Sequence, residues 1–292
     1  MAGMIKSSFL TLVVWLTAAI MSASVSASPR ILSLDWTQTE TLLALGVTPV
    51  AVAQKADYNS WVKAPPIPEK TVDIGLRTQP NMERLAELHP DKILISPIFK
   101  AMKPKLSTIA PVSSIPLYES GLSWASLKTV TRQIAHEANR PEVGETLIAN
   151  AKQQLASLRD TIPGEQPPLL MIQFLDPNHV RVFGTNSLYH AAISELGLSN
   201  AWQNTTNSWG FSMVSTRELL DLDAQLVIVR PLPAGVEQTL KTNMFWQYLV
   251  KRTGRTPLMI DPVWSFGAIP SALRFARLVT VALTDPEQGE QS

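Results

Sequence analysis

The stretch that decides the fold reads RPEVGETLIANAKQQLASLRDTI and runs from Arg140 to Ile162. Its apolar residues recur at spacings of three and four, which places them on one face of a helix. They are Leu147, Ala151, Leu155, Leu158 and Ile162. Pro141 suits a first helical turn and Pro163-Gly164 ends the pattern. At about 1.5 Å per residue, such a helix spans roughly 30 Å, the width of a small domain.

Similar patterns lie on both sides of this helix. One begins at ILSL (31–34) and the other at VRVFG (180–184), and both continue through a helix closed by Leu-Gly, a variable loop, a short helix and a buried strand. This weak internal repeat predicts an α/β fold of two Rossmann-like lobes joined by a single long rigid helix, with a ligand cleft between the lobes. The predicted boundaries are 28–139 for the N-terminal lobe, 140–163 for the connecting helix and 164–292 for the C-terminal lobe.

Residues 1–27 read as a secretory signal peptide. Lys6 gives a basic start, an apolar run follows over 9–21, and Val25-Ser26-Ala27 is a small-residue cleavage site. The apolar run is too short to span a bilayer of about 30 Å. The segment has no twin arginine, and the chain has no cysteine for lipid attachment. We therefore expect export to the periplasm as a soluble protein.

Composition excludes several classes of function. Without Lys6 the mature chain has 24 basic residues (25 − 1) against 24 acidic ones, with no charge blocks, so nucleic acid and anionic membrane are poor partners. The absence of cysteine excludes disulfides and thiolate sites. The four histidines lack metal-ligand spacing, and no Walker loop, GxGxxG or GxSxG occurs, so we predict no metal site and no catalytic residues. An exported hydrolase using Asp35, Asp176 or Asp261 is the alternative from another class.

Aromatic residues fall in loops at the predicted carboxyl ends of strands, where open α/β sheets bind ligands. They are Trp61, Phe99, Trp209, Trp264 and Phe266. Arg77 lies at the same edge, and its planar guanidinium can donate several hydrogen bonds to an oxygen-rich ligand. Both kinds of residue also have a purely structural interpretation. Arg77 could pair with Asp73 or Glu83, and any of the aromatic side chains could pack in the core. Aromatic walls with few polar groups suit a bulky, partly apolar ligand.

Several stretches together resemble the periplasmic ferric hydroxamate (ferrichrome-type) siderophore-binding proteins, which are helix-bridged, class III substrate-binding proteins of ABC importers. The stretches are ILSLDWTQTETLLALGVTPVAVA, YNSWVKAPPIPE, DIGLRTQPNMERLAEL, RVFGTNSLYHAAISELGLSNAWQ and TNSWGFSMVS. The likeness covers essentially the whole mature chain. It implies a monomeric carrier that delivers Fe(III)-hydroxamate siderophores to an inner-membrane ABC permease, with no chemistry and no intrinsic cofactor. A carrier for a catecholate siderophore, cobalamin or haem remains open, although one cleft arginine and no histidine favour hydroxamates.

The resemblance also implies roles for single residues. Arg77 matches the arginine that hydrogen-bonds the oxygens around the ferric centre, and Trp209 matches a tryptophan that packs on the chelate. Trp61, Trp264 and Phe266 match further aromatic positions of the site.

One position departs from the family pattern, and two acidic residues imply a second surface. Phe99 stands where the family often has tyrosine, so we expect it to keep the apolar wall and lose a hydroxyl bond. Docking onto the permease would use Glu83 in the first lobe. In the second lobe the expected acidic position reads Arg217, and the neighbouring Glu218 takes that role. We expect no protein ligand to the iron and only a small rocking of the lobes.

Overall fold

The computed structural model describes residues 29–116, 118 and 121–285. The predicted signal peptide, residues 1–27, lies outside the described residues. Within the described ranges, no helix is both long enough and apolar enough to cross a membrane.

The first half builds one parallel sheet. Its elements are β1 (Ile31–Ser33), α1 (Trp36–Ala44), β2 (Ala51–Val52), α2 (Lys55–Trp61), β3 (Val72–Asp73), β4 (Gly75–Leu76), β5 (Gln79–Pro80), α3 (Met82–Glu87), β6 (Lys92–Ile95), a 3-10 turn (Pro97–Met102), α4 (Lys103–Leu106), β7 (Val112–Ser114) and α5 (Trp124–Glu137). The strands stand in the order β3-β2-β1-β6-β7 and all run parallel. The apolar central strands β1 and β6 are almost wholly buried, as expected where helices cover both faces. β4 and β5 form a separate antiparallel pair that presents Arg77 at its turn.

The second half builds a mixed sheet. Its elements are α6 (Pro141–Thr161), β8 (Leu169–Asp176), β9 (His179–Phe183), α7 (Leu188–Glu195), β10 (Phe211–Ser215), a 3-10 turn (Thr216–Asp221), β11 (Gln225–Val229), α8 (Val236–Thr242), α9 (Met244–Thr253), β12 (Leu258–Ile260) and α10 (Ile269–Thr284). The strand order is β10-β9-β8-β11-β12. β8, β11 and β12 are parallel, whereas β9 and β10 are antiparallel to their neighbours. The repeat in the sequence therefore reflects element order but not strand direction.

The long helix predicted from the opening stretch is α6, and it lies between the two halves. Ile148, Ala151 and Leu155 form its buried stripe. It packs against α5 of the first half and α10 of the second. A Cβ on Gly144 would lie 2.6 Å from the Cβ of Ala135, so only glycine permits this close approach of α5 and α6. The predicted α/β fold of two lobes joined by one long helix is confirmed.

Helix α10 makes a second connection that the sequence did not predict. It belongs to the second half, but it also packs on α1 and α5 of the first half. At its N-terminus, the buried carboxylate of Glu40 accepts hydrogen bonds from the backbone N–H of Ala268, at 2.6 Å, and from the hydroxyl of Ser271. The Thr37 hydroxyl donates to the Phe266 carbonyl at 2.7 Å. The two halves are thus bound to each other at the base of the cleft.

Trp61, which the sequence predicts in a loop, is the last residue of α2, so the segment 57–69 begins inside a helix. Tyr58 lies in the middle of α2 and is fully buried. Its hydroxyl donates to the Pro65 carbonyl at 2.8 Å, which ties the proline-rich remainder of the segment to the helix. The helix ends before the prolines, and the burial of Tyr58 holds it against the first half.

Candidate functional site

A cavity of about 250 Å³ opens between the two sheets, near the carboxyl ends of their parallel strands. The first half contributes a mixed polar and apolar wall, formed by Asp35, Thr37, Arg77, Ser96, Ile98 and Tyr118. The second half contributes only aromatic side chains, which are Trp209, Phe211, Trp264 and Phe266. The cavity therefore pairs one cationic side with one aromatic side, and four of its residues are among those predicted from the sequence: Arg77, Trp209, Trp264 and Phe266.

Arg77 is held in place by contacts that leave much of its guanidinium free. Its backbone N–H and Nε both donate to Oε1 of Gln54, at 3.3 and 3.2 Å. Its Cζ lies 3.8 Å from the centre of the Trp36 ring and 5.7 Å from that of Trp264. Burial lowers the pKa of Arg77, and the carboxylates of Asp35 and Asp57 oppose that shift. Because arginine stays protonated in proteins, the side chain presents a fixed positive charge to the cavity.

The pairing of Arg77 with Asp73 or Glu83, the structural alternative, is not seen. Within the described ranges, the terminal nitrogens of Arg77 take part in no hydrogen bond and no ion pair. Asp73 instead accepts from the backbone N–H groups of Lys55 and Gly75. The guanidinium therefore has donors available for a ligand.

The aromatic wall is a connected set of rings centred on Phe266. The centre of the Phe266 ring lies 5.4 Å from that of Trp209 and 5.1 Å from that of Trp264, both in edge-to-face arrangements. It lies 6.0 Å from the centre of the Phe211 ring, which is tilted relative to it. Aromatic pairs prefer these geometries, so the rings hold one another in fixed orientations. Tyr118 of the first half continues the set at 5.1 Å from Trp209. The wall thus crosses from one lobe to the other.

Tyr118 is a cavity residue that no motif in the sequence indicates. Its hydroxyl donates to the Gly267 carbonyl at 3.3 Å, and burial raises its pKa well above the usual value. Its backbone has a φ of 68°, the left-handed region that side chains other than glycine rarely adopt. The sequence signal was a lone tyrosine in a loop after β7, in the region that follows Phe99 along the chain.

Two predicted ligand residues lie away from the cavity. Phe99 is 4% exposed and packs in the core of the first half, whereas its neighbour Ile98 is 54% exposed and lines the cavity. The 3-10 turn that begins after Ser96 sends Ile98 outward and Phe99 inward. Trp61 ends α2 and packs behind the wall, against the cluster that contains Trp36. Neither side chain forms part of the cavity surface.

The acids weighed for a hydrolase are separated, and each is already engaged. Asp35 lines the cavity, but it caps α1 by accepting from the Thr37 N–H and also accepts from the Ser96 hydroxyl, both at 2.8 Å. Asp176 lies at the tip of the β8–β9 hairpin beside His179. Asp261 pairs with Lys63 at 2.6 Å and with Arg274. Among the described residues, no group of three His, Cys, Asp or Glu side chains is placed to hold a metal ion.

A family model described as periplasmic binding protein matches residues 31–253 of the chain. The chain belongs to this family. This binding protein is 32% identical over 258 residues to the iron(3+)-hydroxamate-binding protein FhuD of Escherichia coli (strain K12), covering 87% of this chain and 86% of that protein. It is 26% identical over 275 residues to the vitamin B12-binding protein of Salmonella choleraesuis (strain SC-B67), covering 94% of each. The family predicted from the sequence is confirmed.

Solved structures show the same architecture. The siderophore-binding protein FhuD from Vibrio cholerae, solved with Fe3+–Desferal bound, superposes with a TM-score of 0.79 at 27% identity, over 89% of this chain and 99% of that one. The triscatecholate siderophore-binding protein FeuA from Bacillus subtilis shares the fold with a TM-score of 0.68 at 18% identity, over 88% and 93%. Members of this family are substrate-binding proteins rather than enzymes, in agreement with the prediction.

The two acids predicted for docking are exposed on this binding protein but differ in their local roles. Glu83 lies in the first turn of α3, where a negative charge is favoured by the helix dipole. Glu218 is also exposed, and its Oε1 accepts from the Ser215 N–H at 3.0 Å, which completes a capping box at the 3-10 turn. Part of the hydrogen-bonding capacity of Glu218 is therefore used within the lobe.

Proposed function

We propose that this binding protein carries Fe(III)-hydroxamate siderophores through the periplasm to an inner-membrane ABC permease. The proposal rests above all on Arg77, a half-buried guanidinium with free donors at the mouth of an aromatic-walled cavity. Hydroxamate groups surround Fe(III) with oxygen atoms that retain lone pairs. A planar guanidinium can donate to two such oxygens at once, which fixes the orientation of the chelate.

The aromatic wall supplies contact area to the organic shell of the chelate. Trp209, Phe211, Trp264 and Phe266 present faces and edges but few hydrogen-bonding groups, so they tolerate a bulky, partly apolar ligand. Iron coordination is complete within the siderophore, so the protein needs no side chain on the metal. The relatives named for Fe(III)-hydroxamate and Fe3+–Desferal binding support this ligand class.

Binding is expected to involve only a small movement of the lobes. α6 joins them covalently, and the contact of Glu40 with the first turn of α10 joins them again at the base of the cleft. A wide hinge opening would break these buried hydrogen bonds, which is costly in free energy. The closed and open forms therefore differ by a slight rocking, and the permease would recognise the exposed carboxylates of Glu83 and Glu218 on the monomer.

Titration of the purified mature protein with ferric Desferal, followed by tryptophan fluorescence, tests the proposal. Vitamin B12, a ferric catecholate and haemin serve as competing ligands, since relatives carry the first two classes. We expect the tightest binding for the ferric hydroxamate and an intact chelate in native mass spectrometry. If the protein binds vitamin B12 or the catecholate more tightly, the assignment of a ferric hydroxamate as its ligand is wrong. A cleaved chelate would indicate an enzyme.

A further inference from the structure

A second arginine lies beside the aromatic wall on the side of the other lobe. Arg181 is on β9, where it stands opposite Met213 of β10 and Gln173 of β8. Its Cζ lies 5.1 Å from the centre of the Phe211 ring, and Phe211 lines the cavity. The guanidinium thus flanks a ring that forms part of the cavity wall.

Arg181 has no anionic partner within the described part of the chain. Its Nε is fully buried without a hydrogen-bond partner, and its terminal nitrogens form no hydrogen bond or ion pair there. Oε1 of Gln173, its neighbour across the strands, also lacks a partner, so the guanidinium does not turn toward that amide. By contrast, Arg274, similarly half-buried, is paired with Asp261.

A half-buried cation without an anion is unfavourable, because burial removes solvation that no protein charge replaces. Burial accordingly lowers the pKa of Arg181. The contact with Phe211 offsets only part of this effect, since phenyl rings attract cations less strongly than indole rings do. A cation of this kind beside a ring of the cavity wall is suited to an anion that a bound ligand supplies.

The two arginines are connected through a series of contacts between rings of the cavity wall. Arg77 lies near Trp264, which contacts Phe266, which contacts Phe211, which contacts Arg181. A chelate that rests on these rings and presents its iron-bound oxygens to Arg77 would extend a peripheral substituent toward Arg181.

We propose that Arg181 is a second ligand-binding cation, which selects ferric hydroxamate siderophores that carry a carboxylate or a similar anionic group on their outer shell. This inference rests on the proposed function, because it assigns the part of the ligand that Arg77 does not contact.

Three forms of one chelate test it. They are ferric Desferal with its free terminal amine, the same complex with the amine acetylated, and the same complex with the amine succinylated so that it ends in a carboxylate. The protein should bind the succinylated form about tenfold more tightly than the acetylated form, because a charge-assisted hydrogen bond is added. The cationic amine form should bind most weakly, and added salt should reduce these differences.

Two variants separate charge from packing. Arg181→Met should bind the acetylated form like the wild type but lose the preference for the succinylated form, whereas Arg181→Lys should keep part of the preference. The inference is overturned if Arg181→Met keeps the full preference for the succinylated form, or if the wild type shows no such preference. The proposed function is unaffected by either result. Failure of all three forms to bind would overturn the proposed function itself. A purely structural Arg181 would change the melting temperature and not the ratio of affinities.

Discussion

The backbone N–H of Ala268 donates a 2.6 Å hydrogen bond to Oε1 of Glu40, which binds the first turn of α10 in one lobe to α1 in the other. Ser271, one turn along α10, donates to the second carboxylate oxygen. Glu40 is fully buried. Desolvation by burial raises the pKa of Glu40 to about 8, although these hydrogen bonds favour the charged form.

The joint between the lobes should therefore respond to pH. The ordinary pKa of 4.5 applies in the unfolded chain and about 8 in the folded protein, so between these values only the folded protein holds a proton on Glu40. Stability from this group is fully present below pH 4.5 and is lost as the pH rises toward 8. The slope of the free energy of unfolding should reach about 1.4 kcal/mol per pH unit. Urea unfolding at a series of pH values measures it.

Glu40→Gln should remove that slope, because glutamine imitates the neutral acid and cannot lose a proton. Glu145→Gln is the matched control: Glu145 is exposed and paired with Arg132 at 2.6 Å, and that contact lowers its pKa. From about pH 6 upward it is ionised in both states, so its removal should leave the slope in that range unchanged. A slope that survives in Glu40→Gln would assign the pH dependence to another group.

Two tryptophans should separate binding from folding. Trp209 lines the cavity between Tyr118 and Phe266. Trp209→Leu should therefore weaken chelate binding about tenfold, which is equivalent to about 1.4 kcal/mol. It should cause little loss of stability. Trp202 is 5% exposed in the core of the second lobe, and Trp202→Leu should lower stability by about 3 kcal/mol at nearly unchanged affinity. Fluorescence titration and urea unfolding of both variants test this, and the reverse pattern would contradict the placement of Trp209.

The acidic residues proposed for docking should affect uptake without affecting affinity. Glu83→Lys should reduce permease-dependent uptake of ferric Desferal by about tenfold or more, because it reverses a charge at the contact. Glu87→Lys, an exposed change on the same helix, is the control. Glu218→Gln tests the second lobe, since glutamine can still accept the hydrogen bond from Ser215. Wild-type uptake by both Glu83→Lys and Glu218→Gln would remove them from the docking surface.

The sequence predicted the parts of the fold that depend on local pattern. The apolar stripe of α6 and the buried strands are visible in residue spacing alone, and Arg77, Trp209, Trp264 and Phe266 all reach the cavity from loops or turns near strand ends. A strand-end position is set by the sheet, so it can be inferred before any coordinates exist.

The features that the sequence does not reveal depend on contacts between distant residues or on single turns. Ile98 lines the cavity in place of the predicted Phe99, because the 3-10 turn directs Ile98 outward and Phe99 into the core. Tyr118 reaches the cavity through an unusual backbone conformation that no local motif signals. Glu40 and Ala268 are 228 residues apart, and nothing in either segment indicates that they meet.

The most direct test of the account is the affinity for ferric Desferal of Arg77→Met, measured by tryptophan quenching beside Arg84→Met, an exposed arginine of the same lobe. Because Arg77→Met loses charge-assisted hydrogen bonds to the chelate, its affinity for ferric Desferal should fall by about tenfold to a hundredfold. Its stability should stay near that of the wild type. Arg84→Met should bind normally. Wild-type affinity in Arg77→Met would contradict the central claim, because the cation at the mouth of the cavity would then not contact the chelate.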